Sequence, residues 1–404
     1  MSKKKKVEKW RKFRHGVATS IVRSLITPFA KYKYGAKVER FKEQGKRPYL
    51  IVLNHQTAFD QFFVGMAFRG PVYYIATEDL FSNGWVSKAI NYLVAPIPIK
   101  KQTTDMRAVM QCAKIAKEGC TIALAPEGNR TYHGKTLEFK KAIVKLAKLT
   151  KLPLAIFRIE GGYGVQPRWS DKTRKGQLRA YVSEIIEYED YSKLSDDELY
   201  ELLKDRLHQD ESQPDSSFHS KHLAEYLERV VYTCPDCGLS TFESKGDIIT
   251  CKKCGKQIRY TPNKTLVGVN CEFPFKSVAE WYDYQQAFVN GLDTRKLGDT
   301  PTYTDIVRFS EVVLYKNKRL IDKKAEACLY GKKITIKTQK SNLVFSFEDA
   351  DAVTVLGKNK VNVYYKDKVY QLKGDKRFNA LRYVNFFHRD KNIREENNNG
   401  FLGL

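Results

Sequence analysis

At 404 residues the chain is long enough for two or three domains with a full hydrophobic core. Its formal net charge of +25 indicates that it binds an anionic partner. Nucleic acid, anionic lipid and a phosphate-bearing substrate are all consistent with this charge. No run approaches the roughly 20 apolar residues of a membrane-spanning helix, and no signal-type apolar core follows Lys3 to Lys6. We therefore expect a cytoplasmic protein that binds the inner face of a membrane peripherally.

The first fifty residues are strongly basic, with sixteen Lys and Arg against three acids. An apolar residue recurs at three- to four-residue steps, at Val7, Trp10, Phe13, Val17, Ile21 and Leu25. This pattern predicts that residues 1–30 form a basic amphipathic helix lying in a membrane interface, with Trp10 as its anchor. The alternative is a helix that packs on its own domain and exposes its basic face to solvent.

A His and a carboxylate follow the first predicted strand. Residues 49–53 form a short apolar run typical of a buried strand, and residues 59–68 predict a helix. His55 then lies on the connecting turn and Asp60 in the first helical turn. An imidazole can accept a proton near pH 7, and a carboxylate on its other nitrogen fixes the tautomer. No nearby Ser or Cys offers a nucleophile, so a substrate hydroxyl is the natural one. The same spacing also arises by chance.

Strands and helices alternate along the next hundred residues, which predicts a mixed α/β sheet flanked by helices. Helices are expected at 85–93, 104–117 and 139–148, and strands at 72–76, 97–99 and 152–159. The prolines around Ile97 suit an edge strand. Cys112 and Cys120 are expected to be packing residues, and His133 is interpreted as a surface or rim histidine.

A second polar turn follows another predicted strand, at Pro126-Glu127-Gly128-Asn129-Arg130. The guanidinium of Arg130 offers a rigid fork of donors suited to phosphate, and Gly128 lets backbone approach a ligand. Polar turns at two strand ends of one α/β unit suggest a shared crevice.

The two motifs, Asn-His-Gln-x-x-x-Asp and Pro-Glu-Gly-x-Arg about seventy residues later, resemble those of the 1-acylglycerol-3-phosphate acyltransferases. The resemblance covers roughly residues 10 to 190 and implies a glycerolipid acyltransferase-like fold. It assigns Lys101 and Arg130 to the glycerol phosphate, with Glu127 and Gly128 shaping that pocket. Lys101 stands where the family usually has Arg, and this exchange loses bidentate geometry.

Four cysteines then form a C-x2-C-x13-C-x2-C pattern, each pair being followed by glycine. Four thiolates close a tetrahedral zinc shell and leave no open position, so the pattern predicts a structural Zn²⁺ in a zinc ribbon. The ligands are Cys234, Cys237, Cys251 and Cys254. Cys271 is not spaced to join them. Zinc ribbons often bind nucleic acid, and the nearby basic residues are Lys252, Lys253, Lys256 and Arg259.

The C-terminal part predicts a helix at 275–290, nine short strand-like runs between residues 306 and 372, and a final helix at 378–389. This order resembles a pleckstrin-homology-like or related fold. The expected domains are the interface helix 1–30, an acyltransferase domain 31–208, a linker and helix 209–233, the zinc ribbon 234–262 and a mostly-β domain 263–404.

These features together indicate a peripheral membrane acyltransferase. The expected reaction moves an acyl group from acyl-CoA or acyl carrier protein to a lysophospholipid hydroxyl, with lysophosphatidic acid as acceptor and phosphatidic acid as product. His55 would be the general base and Asp60 would orient it, and no cofactor is needed for the transfer. The expected partners are an anionic membrane surface and the two substrates, and no nucleic acid is expected. The alternatives are an inactive membrane-recruited adaptor and a nucleic-acid binder that uses the zinc ribbon.

Overall fold

A computed structural model describes residues 9–99, 106–313, 316–397 and 399–403, apart from the side chains of residues 78 and 79. The chain divides into two compact units. Unit 1 comprises Met1–Arg130, Thr136–Gly162 and Gln177–Gln209, and unit 2 comprises Thr131–Lys135, Tyr163–Gly176 and Asp210–Leu404. The linear domain division expected above remains a prediction.

Unit 1 is built on a seven-stranded mixed sheet in the order β1-β7-β6-β2-β5-β3-β4. All neighbours are parallel except β6 and β7, which are antiparallel. The strands are β1 (Ala36–Val38), β2 (Leu50–Leu53), β3 (Val72–Thr77), β4 (Ile97–Ile99), β5 (Thr121–Leu124), β6 (Leu154–Glu160) and β7 (Leu178–Ile186). As predicted from its prolines, the strand at Ile97 lies at the sheet edge.

Helices cover both faces of this sheet. They are α1 (Phe13–Tyr34), α2 (Asp60–Ala67), α3 (Trp85–Val94), α4 (Met106–Lys117), α5 (Ala142–Thr150), α7 (Tyr188–Tyr191) and α8 (Asp196–Leu207), while α6 (Gly162–Val165) lies where the chain passes from unit 1 to unit 2. Ile156 belongs to the core formed with α4, α5 and α8. The next residue, Phe157, points to the other face, where the ring of Phe68 lies 6.4 Å away. Cys112 and Cys120 are buried in the core, as predicted.

Unit 2 contains the zinc-ribbon segment, whose sheet has the order β10-β11-β12-β13 beside the small β8-β9 pair. The strands are β8 (Thr233–Cys234), β9 (Gly238–Leu239), β10 (Phe242–Lys245), β11 (Ile248–Cys251), β12 (Gln257–Tyr260) and β13 (Leu266–Gly268). Helix α9 (Val278–Gly291) packs on this segment, since Trp281 donates its indole N–H to the Thr233 carbonyl at 2.9 Å.

The C-terminal sheet of unit 2 is antiparallel, in the order β17-β16-β15-β14-β20-β19-β18. Its elements are β14 (Tyr303–Val312), β15 (Arg319–Leu329), β16 (Lys333–Lys337), β17 (Asn342–Ser346), β18 (Ala350–Leu356), β19 (Lys360–Tyr365), β20 (Lys368–Lys373) and the final helix α10 (Leu381–Arg394). The fold class predicted from the sequence is confirmed: a mixed sheet flanked by helices, a zinc ribbon, and a mostly-β region closed by a helix.

Trp10, the predicted membrane anchor, lies before α1 and packs half-buried on unit 1, so its role at a membrane stays a prediction. Its indole N–H donates to the Ala95 carbonyl at 3.2 Å, and its own backbone N–H donates to Glu118 at 2.7 Å. The ring packs half-buried against the core of unit 1. A repeating apolar spacing does not show which of its members turns inward.

None of the helices in the described ranges is long and apolar enough to cross a bilayer.

The interpretation of His133 as a surface histidine is wrong. Its side chain is buried in unit 2, and its ring lies 4.5 Å from the ring of Tyr282. Its Nδ1 accepts the backbone N–H of Lys135 at 3.2 Å. Burial lowers the pKa of His133 to about 4, because an imidazolium there would lose its hydration.

This buried imidazole predicts a pH-dependent loss of stability. The folded pKa lies below the unfolded value, so the unfolded chain binds the proton first and stability falls as the pH drops from 6.5 towards 4. From about pH 7 to about pH 5, the wild type should lose about 2 kcal/mol more unfolding free energy than His133→Phe. Urea unfolding of the wild type and of His133→Phe at each pH measures these free energies. The fluorescence of the buried Trp169 and Trp281 reports the transition. Equal losses would contradict this assignment.

Candidate active site

His55 and Asp60 meet directly at the end of β2. The Nδ1 atom of His55 lies 2.7 Å from Oδ2 of Asp60, as the turn between strand and helix predicts. The Asp60 side chain is 2% exposed, whereas the His55 side chain is 28% exposed. The buried carboxylate therefore holds a ring that solvent can reach, and a Nδ1–H donor to Asp60 leaves Nε2 as the basic nitrogen.

Three further donors converge on the Asp60 carboxylate. The backbone N–H of Gln56 donates to Oδ2 at 2.8 Å, while the Thr57 N–H and hydroxyl donate to Oδ1 at 2.8 and 2.7 Å. Since Asp60 is the first residue of α2, its charge also lies at the favourable end of the helix dipole. The turn between β2 and α2 thus folds around this carboxylate and fixes its position.

Asn54 fastens the same turn to the neighbouring strand. Its Nδ2 donates to the Ile159 carbonyl at 2.9 Å, and its Oδ1 accepts the Ile159 N–H at 2.8 Å. Because β6 ends just beyond Ile159, the side chain continues the β2-β6 pairing past the last backbone bond. Asn54 and Thr57 were not among the predicted site residues. Their positions beside His55, with side chains able to bond backbone groups, were the available signal.

Glu127 links the two motifs. One carboxylate oxygen accepts the backbone N–H of His55 at 2.7 Å, and the other accepts the N–H of Leu137 at 2.8 Å. Burial raises the pKa of Glu127 to about 8, although the two N–H donors oppose this shift by favouring the carboxylate. In addition to the pocket role implied by the resemblance, Glu127 therefore bonds the backbone of the residue that carries the imidazole.

Gly128 and Arg130, which the resemblance assigns to the phosphate pocket, lie on the turn after β5. Gly128 is exposed with φ of +66°, a left-handed conformation that disfavours a side chain. Arg130 is half-buried two residues later. Since β2 and β5 are parallel neighbours, this turn and the His55 turn lie at the same edge of the sheet. Lys101 lies outside the described residues.

The four ribbon cysteines come together in unit 2. Their sulfur atoms all lie within 4.8 Å of one another, and those of Cys234 and Cys254 are 3.8 Å apart. Zn–S bonds of about 2.3 Å in a tetrahedron place sulfurs about 3.8 Å apart, so the cluster fits zinc. Ser240 Oγ lies 3.1 Å from the sulfur of Cys251 and can donate to a thiolate there. Gly238 and Gly255, with φ of +66° and +73°, make the turns that face each pair inward.

Carboxylates of the ribbon segment pair with most of its basic side chains. Lys252 pairs with Glu243 at 2.9 Å and Arg259 pairs with Asp247 at 3.0 Å. Lys256 pairs likewise with Asp236 at 2.6 Å. The positive charge that raised the possibility of nucleic-acid binding is thus partly neutralised within the ribbon.

Two family models match separate parts of the chain. Residues 34–159 match the model described as Acyltransferase. Residues 227–264 match a zinc-ribbon model described as DNA directed RNA polymerase, 7 kDa subunit. The first match contains the His55 turn and the Glu127 turn, and the second contains all four cysteines of the cluster.

Several curated acyltransferases are similar to this chain. A chloroplastic 1-acyl-sn-glycerol-3-phosphate acyltransferase from Brassica napus is 24% identical over 182 residues, covering 44% of this chain and 51% of the relative. The human alpha form is 29% identical over 130 residues, covering 31% and 46%. The chain therefore spans about half the length of the curated relatives it matches. The solved 1-acyl-sn-glycerophosphate acyltransferase PlsC from Thermotoga maritima superposes with a TM-score of 0.41 at 22% identity, covering 48% of this chain and 78% of PlsC.

Proposed function

We propose that this chain, whose residues 34–159 carry an acyltransferase domain, transfers an acyl group from a thioester donor to the free hydroxyl of a lysophospholipid. The donor is acyl-CoA or acyl carrier protein, and the acceptor is lysophosphatidic acid, which gives phosphatidic acid. The observation that carries the proposal is the 2.7 Å contact between a partly exposed imidazole and a buried carboxylate at the end of β2. The similar relatives named for this reaction support the choice of acceptor.

In this mechanism His55 is the general base. Its Nε2 takes the proton of the acceptor hydroxyl as that oxygen attacks the thioester carbonyl carbon. The tetrahedral intermediate then collapses, the carbon–sulfur bond breaks, and the imidazolium returns the proton to the leaving thiolate. Asp60 holds the productive tautomer and stabilises the imidazolium. A factor of about 10²–10⁴ from base catalysis is adequate, because a thiol with pKa near 8.5 is a good leaving group.

For the acceptor phosphate we propose Arg130 and Lys101, with Gly128 giving the backbone close approach. The family resemblance assigns these residues, and the position of Arg130 at the shared sheet edge supports its assignment. Glu127 is proposed as a positioning residue within the same pocket, since it bonds the backbone of His55. The four-cysteine cluster is proposed to bind Zn²⁺ structurally, since four thiolates leave no coordination position open to a substrate.

Arg130→Ala should raise the KM for lysophosphatidic acid by about 10- to 100-fold, because a charge-assisted contact with phosphate is lost. The KM for monoacylglycerol, which lacks the phosphate, should change little. Steady-state kinetics with both acceptors makes this comparison. Arg179→Ala, which removes an exposed arginine of unit 1 paired with Glu39, is the matched control and should leave both values unchanged. An equal rise in the KM for the two acceptors would argue against phosphate binding by Arg130.

We further propose that the protein works at an anionic membrane surface, with α1 lying in the interface. Large apolar side chains of α1 are exposed at four-residue steps, at Phe13, Val17, Ile21, Leu25 and Phe29. Between residues 9 and 34 every charged side chain is basic: Lys9, Arg11, Lys12, Arg14, Arg23, Lys31 and Lys33. An apolar stripe flanked by positive charge suits an anionic bilayer surface.

The proposed reaction is tested with purified protein, vesicles containing lysophosphatidic acid, and radiolabelled acyl-CoA or acyl carrier protein. We expect labelled phosphatidic acid with at least one of the two donors. Oligonucleotide binding is measured in parallel over a range of salt concentrations. The absence of product with both donors, together with salt-sensitive oligonucleotide binding, would favour the nucleic-acid alternative instead.

A further inference from the structure

Helix α3 exposes a second apolar face in unit 1. Trp85 and Val86 are 78% and 40% exposed, and about two turns later Tyr92 and Leu93 are 61% and 46% exposed. Residues seven apart lie on the same side of a helix, so these four side chains form one stripe. Large apolar side chains clustered in this way on a soluble surface mark an interaction site.

The exposed faces of α1 and α3 adjoin each other. The guanidinium of Arg14 lies 4.1 Å from the centre of the Tyr92 ring, and its Nε donates to the Tyr92 carbonyl at 2.8 Å. The indole of Trp10 bonds the carbonyl of Ala95, the residue that ends α3. The start of α1 is thus fixed to the end of α3, so the two stripes form parts of one apolar surface.

Charge identifies the partner of this surface. The only charged side chain of α3 is Lys88, which is exposed, and the described part of α1 and its leading residues carry basic charges alone. Since neither α1 nor α3 contains an acidic residue, the basic faces of two copies of this chain would repel each other. An anionic lipid bilayer supplies both the apolar interior and the negative charge that the two helices need.

The same surface leads to the proposed active site. The ring of Phe29, on the exposed stripe of α1, lies 5.6 Å from the ring of Phe59. Phe59 directly precedes Asp60, and its ring lies 5.1 Å from that of Phe62. An aromatic path within unit 1 therefore connects the exposed stripe to the turn that holds His55, which suits an acceptor that arrives from a bilayer.

We propose that α3 is a second membrane-docking element, which together with α1 contacts one anionic bilayer surface, and that Trp85 is the interfacial anchor. The inference rests on the proposed function, because a lipid acceptor is what brings the protein to a membrane. Trp85 takes the place that the sequence pattern gave to Trp10. Its indole is exposed next to a glycine at the start of α3, where a short helix can present it to the headgroup region.

Two measurements on the full chain test this. The first is sedimentation with vesicles of phosphatidylglycerol and phosphatidylcholine, comparing Leu93→Glu with Ile306→Glu, which places the same charge on a 58% exposed residue of unit 2. Leu93→Glu should lower the partition coefficient by about tenfold or more, and Ile306→Glu should leave it unchanged. The second is quenching of tryptophan fluorescence by brominated phosphatidylcholine in the vesicles. The fluorescence of the wild type should fall, and that of Trp85→Phe should change little.

Equal binding of the two glutamate variants, or equal quenching of wild type and Trp85→Phe, would overturn the proposal. A vesicle-independent dimer that Leu93→Glu dissociates would overturn it in favour of a second copy as the partner. Turnover of a short-chain, fully dispersed lysophosphatidic acid separates docking from catalysis, since Leu93→Glu should keep that activity. Should the wild type turn over no acceptor, the proposed function fails, while the vesicle measurements still decide the role of α3.

Discussion

Replacing Asp60 by asparagine is expected to lower kcat for acyl transfer by about 10³- to 10⁴-fold while the KM for lysophosphatidic acid changes little. In the wild type, Oδ2 of Asp60 accepts from Nδ1 of His55 at 2.7 Å, and Oδ1 accepts from the Thr57 N–H at 2.8 Å. An amide cannot offer acceptor oxygens at both positions. If its NH₂ group faces His55, the imidazole must carry its proton on Nε2, where it cannot accept one from the substrate hydroxyl.

Thr57→Val provides the graded comparison for this prediction. It removes the hydroxyl that donates to Oδ1 of Asp60 at 2.7 Å and accepts the Phe59 N–H at 2.9 Å, and it leaves both carboxylate oxygens in place. The loss in kcat should stay within about 10- to 100-fold, because one of the donors to the carboxylate is lost while the contact between Asp60 and His55 remains. Thermal unfolding of each variant shows whether the fold survives. A folded Asp60→Asn protein with near wild-type kcat would remove the carboxylate from the mechanism.

The second large effect concerns zinc. The protein should contain one Zn²⁺ per chain, and Cys251→Ser should lose it together with the structure of the ribbon segment. Structural zinc sites contribute about 10–16 kcal/mol of apparent binding free energy, which the short strands β8 to β12 have no large core to replace. Elemental analysis gives the stoichiometry, and hydrogen–deuterium exchange across residues 233–260 should accelerate strongly.

Cys271→Ser is the matched control for the zinc prediction. Cys271 is a half-buried cysteine of the same segment that does not belong to the four-sulfur cluster. It should keep both the zinc content and the exchange protection of the wild type. A structural site also predicts that Zn²⁺ takes no part in the transfer step. Full zinc content in Cys251→Ser, or loss of zinc in Cys271→Ser, would show that the ligand set is different.

The local features of the site could be predicted because short-range chemistry determines them. The run before Asn54 is apolar enough to be a buried strand, and a turn after it can bring His55 and Asp60 together across only five positions. Cys234 and its three partners were equally predictable, since the spacing of the pairs and the following glycines form a complete zinc pattern by themselves.

Features that depend on tertiary packing could not be predicted in this way. Trp10 and Phe13 belong to one apolar repeat, yet Trp10 binds the carbonyl of Ala95 while Phe13 is 90% exposed. His133 is buried because residues 131–135 pack within unit 2, against a residue about 150 positions away in the sequence. Periodicity shows that a residue lies on an apolar face. It does not show what covers that face.

The contact of Glu127 illustrates the same limit within the site. The motif places a carboxylate next to Gly128, and the family resemblance implies that this carboxylate shapes the phosphate pocket. Glu127 accepts the backbone N–H groups of His55 and Leu137, which belong to other segments. Every residue except proline has a backbone N–H, so a sequence does not indicate which of these donors Glu127 will bind. The parallel pairing of β2 with β5 is what brings these groups within reach.

The most direct test of His55 as the general base is the single-turnover rate of phosphatidic acid formation by His55→Ala. His222→Ala is the control, because it removes an exposed histidine of unit 2 that also pairs with a carboxylate, Glu225, at 2.6 Å. We predict a loss of about 10²–10⁴-fold or more for His55→Ala, with unchanged binding of lysophosphatidic acid, and a wild-type rate for His222→Ala. A His55→Ala protein that forms product within a few-fold of the wild-type rate would contradict the proposed mechanism.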